Sequence, residues 1–110
     1  MTGGFDEREK GFEAKFAHDE ELQFKIVARR DKLVGLWAAG EMGLSGADAE
    51  AYAKQVVISD LAEPGEEDMV RKIQADFQAR GIARTDHLIR VKIAEFLETA
   101  TDQVKHEAGK

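Results

Sequence analysis

Apolar residues recur at helical spacing along most of the chain, and this feature constrains the fold more than any other. Apolar positions three, four and seven residues apart form one face of an amphipathic helix. No window of strand length shows β-branched residues alternating with polar ones, and Pro64 is the single proline. The sequence therefore predicts an all-α protein.

Four segments carry this helical pattern. The first is predicted to run from about His18 to Ala39. Ser45 lies three residues before Asp48, which matches a capping box at the start of the second segment. Further helix-breaking or capping residues separate the segments, and these are Gly40, Gly43, Pro64, Gly65, Gly81 and Thr85. Helices joined by such short connections predict a compact, mostly antiparallel four-helix bundle.

Residues 1–17 differ from the segments that follow. This stretch contains three glycines among charges of both signs, and each glycine costs a helix about 1 kcal/mol relative to alanine. Phe5, Phe12 and Phe16 nevertheless fall at i, i+7 and i+11, which is one narrow stripe on a helix. The stretch therefore has the apolar pattern of a helix without the composition of a stable one.

An energy comparison indicates what this stretch does. Ordering about sixteen residues costs at least about 1 kcal/mol each, whereas burying three phenylalanines returns about 2–3 kcal/mol each. We therefore predict a mobile N-terminal arm over residues 1–17 that is disordered when free and helical in a partner's groove. The bundle follows over residues 18–104, with a frayed tail over 105–110. In the alternative, the first helix extends back to Phe5 and lays its phenylalanines on the bundle.

Composition excludes several classes of protein. The formal net charge is −6 and the chain has no cysteine. Nucleic acids and anionic membranes attract basic surfaces, so neither is an expected partner. No apolar run approaches the roughly 20 residues of a membrane-spanning helix, and the N-terminus lacks the pattern of a secretory signal. We expect a cytoplasmic protein without disulfides or membrane insertion.

Enzymatic and metal sites find little support. His18, His87 and His106 lie far apart in the sequence, and no helix carries a two-histidine or Glu-x-x-His spacing for a metal. No glycine-rich phosphate loop is present. We therefore expect neither an enzyme nor a metal or tightly bound cofactor.

Basic residues leave one small-ligand alternative open. Arg29 and Arg30, or Arg84 and Arg90, would form a phosphate site if the folded chain brought them together. Weak binding of ATP or ADP is one interpretation of these arginines. The other is that they form solvated faces that balance the many acidic residues.

Short runs of sequence spread over nearly the whole chain match one known family. They are residues 5–10, 12–22, 24–25, 28–30, 32–33, 36–39, 44–46, 51–53, 63–65, 71–73 and 86–87. These runs resemble the zeta subunit of alphaproteobacterial F-type ATP synthases. The resemblance implies a four-helix bundle preceded by an inhibitory segment over about residues 1–19. That segment would enter a catalytic interface of the enzyme's soluble head, near the central rotor, and block ATP hydrolysis.

The resemblance also suggests which residues contact the partner. Their spacing makes Phe5, Phe12 and Phe16 the candidate apolar anchors. The candidate charged contacts are Arg8, Lys10 and Lys15. The expected partners are the catalytic head and central rotor, with the chain a monomer when free and peripheral at the inner membrane when bound. The competing hypothesis is a helical adaptor, or a nucleotide-sensing module, that acts through the surface of the bundle.

Overall fold

The chain folds as four α-helices joined by short connections. In the computed structural model the described backbone covers residues 2–62 and 65–108, and the described side chains begin at Glu20. The helices are α1 (Thr2–Glu41), α2 (Gly46–Ala62), α3 (Glu66–Ala79) and α4 (Asp86–Ala108). Over these residues the structure contains no strand, so the predicted all-α fold and its four helices are confirmed.

The first helix is longer than the sequence predicted. It begins at Thr2 rather than near His18, so its backbone runs through the predicted N-terminal arm. The side chains of residues 1–19 lie outside the described part of the chain, and so does any packing of the three phenylalanines. The boundary after residue 17, and the disorder of the free arm, stay predictions.

Two connections confirm the predicted caps. Gly81 adopts a left-handed φ of 71° after α3. The N–H of Ile82 then donates to the carbonyl of Phe77 at 2.9 Å, and the Ile82 side chain packs against the core. At the start of α4 the Thr85 hydroxyl accepts a hydrogen bond from the N–H of Leu88 at 3.0 Å.

The main core lies where all four helices meet. Its largest buried side chains are Phe77, Met69, Ile73, Ile89, Ile93, Val34 and Val56. Trp37 packs edge-on against Phe77, with ring centroids 5.9 Å apart and planes inclined at 77°. Trp37 is therefore a packing residue at the edge of the core.

A smaller cluster extends the packing toward the N-terminal half of α1. Ile26 of α1 is buried with Ala100 and Val104 of α4, and Leu22 and Leu33 pack beside them. Helix α4 continues to Ala108. Its residues in this cluster, Ala100 and Val104, belong to what the sequence predicted as the last turns of the bundle. Among the described side chains of α1, packing against α4 thus begins at Leu22.

Helices α1 and α2 approach each other closely at one glycine. A Cβ placed on Gly35 would lie 2.6 Å from the Cα of Ala53 and 3.3 Å from the Cβ of Val56. A glycine lets two helix backbones approach more closely than any side chain would permit. Gly35 therefore sets the crossing of α1 and α2.

Among the described residues, no helix is both long and apolar enough to cross a membrane.

Candidate functional site

The predicted inhibitory residues all lie on the part of α1 whose side chains are not described. These residues are Phe5, Arg8, Lys10, Phe12, Lys15 and Phe16. The helical backbone of α1 passes through all six positions. At about 100° per residue, the three phenylalanine positions fall within about 40° of one another around the helix axis. Their contacts are untested, and their role as anchors stays a prediction.

Arg29 joins α1 to the end of α4. Its guanidinium donates to both carboxylate oxygens of Glu107 at 2.8 Å, and to the side-chain oxygen of Gln103 at 2.9 Å. The hydrogen bond to Glu107 raises the pKa of Arg29, and the negative charge of Glu107 adds to this effect. This bidentate ion pair lies beside the cluster around Ile26. Arg29 therefore helps to hold the described start of α1 on the bundle.

Arg30 points to a different set of acids. Its Nε donates to Oδ1 of Asp31 at 3.0 Å, and its Nη2 lies 2.9 Å from the same oxygen. The same Nη2 lies 3.5 Å from Oδ2 of Asp60, near the end of α2. Arg30 therefore bridges two carboxyl groups that belong to two helices.

Both carboxyl groups are buried. Asp31 is 0% exposed and Asp60 is 4% exposed. The pKa of Asp31 is raised from 3.8 to about 8, and burial is the largest cause, followed by hydrogen bonding with Asp60. The guanidinium of Arg30 opposes this shift without cancelling it. Asp31 is therefore predominantly protonated at neutral pH.

The other two candidate arginines make separate ion pairs. Arg84 donates from its Nε to Glu41 at the end of α1, at 3.1 Å. Arg90 lies 2.8 Å from Glu67 and 3.5 Å from Glu66, at the start of α3. The pair with Glu67 raises the pKa of Arg90 and lowers that of Glu67. Neither arginine shares a partner with Arg29 or Arg30.

The four arginines therefore do not meet in one basic site. Each of the four forms an ion pair with at least one carboxylate. Arg90 does line a cleft of about 270 Å³, together with Arg71, but Glu67 and Asp86 line the same cleft. The arrangement supports the interpretation of balanced charge, and nucleotide binding remains an untested prediction.

No metal-binding cluster of three or more His, Asp, Glu or Cys residues occurs in the described part of the chain. His87 and His106 are both exposed, while His18 lies among the side chains that are not described.

Comparison with known proteins identifies the family. The family model described as ATPase inhibitor subunit zeta matches residues 1–103. The chain belongs to this family. One solved structure, determined by solution NMR, is 41% identical in sequence with a TM-score of 0.69. The alignment covers 78% of this chain and 98% of that one. None of the curated proteins matches the chain.

The zeta family model begins at residue 1, so it includes the stretch that carries the phenylalanine stripe. It ends one residue before Val104, which is buried against α1. The match therefore extends over both parts of the predicted organisation, the N-terminal arm and the bundle. The resemblance found in the sequence is confirmed at the level of the family.

Sequence reasoning missed three residues of this zeta-family chain that the structure makes prominent. These are Gly35, Asp31 and Asp60. A signal was present for both acids: Asp31 lies three and seven residues before Val34 and Ala38, and Asp60 lies four residues after Val56. An acid at the helical spacing of an apolar stripe is a candidate for burial. Gly35 stands beside the same stripe, where a glycine permits close helix contact.

Proposed function

We propose that the chain is an inhibitory subunit of a bacterial F-type ATP synthase and that it blocks ATP hydrolysis by inserting its N-terminal segment into a catalytic interface. The observation that supports this most is the family match, which begins at residue 1 and describes an ATPase inhibitor. The partners are the catalytic head and central rotor. The chain is a regulator and not an enzyme, monomeric when free and held peripherally at the inner membrane through the synthase.

The continuity of α1 supports this proposal. The helix that contains the phenylalanine positions also contains Leu22, Ile26 and Arg29, which pack on α4. Because α1 packs on α4 at these residues, the N-terminal segment extends from a fixed point on the bundle. When the segment lodges in a catalytic interface as a helix, it opposes the next opening of that interface and stops the cycle. Rotation in the direction of synthesis would expel it.

The apolar surface of the bundle supports a second candidate function. Phe24 is 58% exposed on α1, and Ile58 and Leu61 are 56% and 45% exposed on α2. Exposed apolar side chains mark a partner-binding surface where they form one contiguous patch, whereas scattered ones do not. A helical adaptor that acts through this surface would need these residues and would not need the N-terminal phenylalanines.

Alanine substitutions in the full-length protein separate the two functions. The measurement is inhibition of ATP hydrolysis by the isolated catalytic head across a range of inhibitor concentrations. Burial of a phenylalanine is worth about 2–3 kcal/mol, and 1.4 kcal/mol corresponds to tenfold. We therefore expect Phe12→Ala and Phe16→Ala each to weaken inhibition by tens to about a hundredfold.

Phe24→Ala is the matched control, since it removes an exposed phenylalanine of the same helix outside the stripe. It should change inhibition by less than about twofold. The N-terminal mechanism is refuted if Phe24→Ala abolishes inhibition while Phe12→Ala and Phe16→Ala leave it intact. Removing the residues before Asp19 provides a further test, because the remaining bundle should no longer inhibit.

A further inference from the structure

Arg30, Asp31 and Asp60 form a buried charged cluster between α1 and α2, and the proposed function makes no use of it. The Arg30 side chain is 13% exposed, and those of Asp31 and Asp60 are 0% and 5% exposed. The N–H of Gly65, just before α3, approaches Oδ1 of Asp60 at 3.4 Å. The cluster therefore joins α1, the last turn of α2 and the start of the next connection.

The number of charges in the cluster requires a proton. Two ionised carboxylates against one guanidinium would leave a net negative charge in a site removed from water, which is strongly unfavourable. One proton shared between the two carboxyl groups makes the cluster neutral. Pairs of carboxyl groups that share a site hold a proton in this way.

Hydrogen bonding identifies the position of that proton. Oδ1 of Asp31 accepts from Arg30, whereas Oδ2 of Asp31 is buried without a hydrogen-bond donor in the described part of the protein. As a carboxylate, Asp31 would leave this oxygen unsatisfied. As a neutral carboxyl group it has no charge to bury, and hydrogen bonding with Asp60 favours this protonated form by raising the pKa of Asp31.

Other charged groups nearby belong to separate pairs. On the same two helices, Lys32 and Glu50 form a pair of 3.9 Å with both side chains half exposed. On the side of α4, Arg29 is engaged by Glu107. The charged groups that shift the pKa of Asp31 are Arg30 and Asp60. The pKa of Asp31 therefore depends mainly on groups inside the cluster.

We propose that Arg30, Asp31 and Asp60 form a pH-sensitive contact that fastens α1 to the end of α2, closed while the two carboxyl groups share a proton and loosened when that proton is lost. The proposal concerns the bundle alone and does not depend on the proposed function. Because the pKa of Asp31 is about 8, the contact is closed at neutral pH and loosens in mildly alkaline solution. The loosened state exposes the end of α2 and the facing turn of α1.

Carboxyl ¹³C NMR of the full-length protein between pH 4 and 10 tests the shared proton. We expect the carboxyl carbon of Asp31 to titrate with a midpoint near pH 8. Asp60→Asn removes the second carboxylate and should lower the remaining midpoint, that of Asp31. Exposed Asp102 on α4 provides the control, since Asp102→Asn should leave the midpoint of Asp31 unchanged.

Amide hydrogen exchange tests the loosening. After correction for the intrinsic rise of exchange with pH, protection of the amides near Asp31, Asp60 and Gly65 should fall by about tenfold between pH 7 and 9.5. Asp31→Asn keeps the shape of the neutral carboxyl group and should abolish this fall. Two results would overturn the proposal. One is that both carboxyl groups titrate below pH 5. The other is that the wild-type protein and Asp31→Asn lose protection equally with pH.

Discussion

Replacing Gly35 by alanine tests whether the close approach of α1 and α2 organises the bundle. The added Cβ would lie 2.6 Å from the Cα of Ala53 and 3.1 Å from its Cβ. Carbon atoms in contact are normally about 3.5–4.0 Å apart, so the two helices must separate by about 1 Å. The nearest atom belongs to the backbone of α2 and has no side-chain rotation available to avoid the clash.

The cost follows from two opposing effects. Adding a methyl group to a well-packed interior costs about 1–3 kcal/mol, and a clash with backbone belongs at the upper end of this range. Alanine returns about 1 kcal/mol through its greater helix propensity. We therefore expect Gly35→Ala to reduce the free energy of unfolding by about 2 kcal/mol. For a domain of this size, that lowers the midpoint of thermal unfolding by roughly 8–16 °C.

Gly40→Ala is the matched control. Gly40 is also in α1, is exposed, and has no atom within 4 Å of a built Cβ. This substitution should stabilise the protein by up to about 1 kcal/mol. Both variants can be measured by thermal and urea unfolding followed by circular dichroism. The reasoning is refuted if Gly35→Ala stabilises the protein as much as Gly40→Ala does.

Three further substitutions test the contacts around α1 and α2 by urea unfolding. The pKa of Asp31 is higher in the folded state, at about 8, than its ordinary value of 3.8, so the stability that it contributes is complete below about pH 4 and is lost as pH rises to about 8. Its loss proceeds at up to about 1.4 kcal/mol per pH unit, and Asp31→Asn should remove this contribution to the pH dependence. Arg29→Met should cost at most about 1 kcal/mol, because Arg29 and Glu107 are 31% and 55% exposed; a loss above about 3 kcal/mol would contradict this. Tyr52→Phe removes the 2.7 Å hydrogen bond to Asp76 and should cost about 1 kcal/mol; an unchanged stability would show that this bond contributes nothing.

Features that depend on neighbouring residues could be predicted from the sequence. The turn at Gly81 and Ile82 and the cap at Thr85 each involve residues within five positions of one another. The apolar residues of α3 follow a helical period, and Met69, Val70, Ile73 and Phe77 are all buried. Local backbone geometry determines such features, so the pattern of residue types is sufficient to locate them.

Contacts between distant residues could not be predicted in the same way. Arg29 and Glu107 are separated by 78 positions, and no local pattern selects this acid from the others. The sequence grouped Arg29 with Arg30 because they are adjacent, but adjacent residues on a helix point about 100° apart. They therefore reach different helices, which explains why Arg29 and Arg30 pair with different acids.

The contacts along one stretch of α1 together explain what the bundle contributes to the proposed inhibitor. Arg29 binds the end of α4, Arg30 reaches Asp60 on α2, and Gly35 lies against Ala53. These residues hold α1 on two sides within less than two helical turns, by an ion pair, a buried polar cluster and a close backbone contact. A helix held on two sides has a fixed direction. The bundle therefore determines where the segment preceding Glu20 leaves it, and a change that loosens either side should affect the presentation of that segment without altering the segment itself.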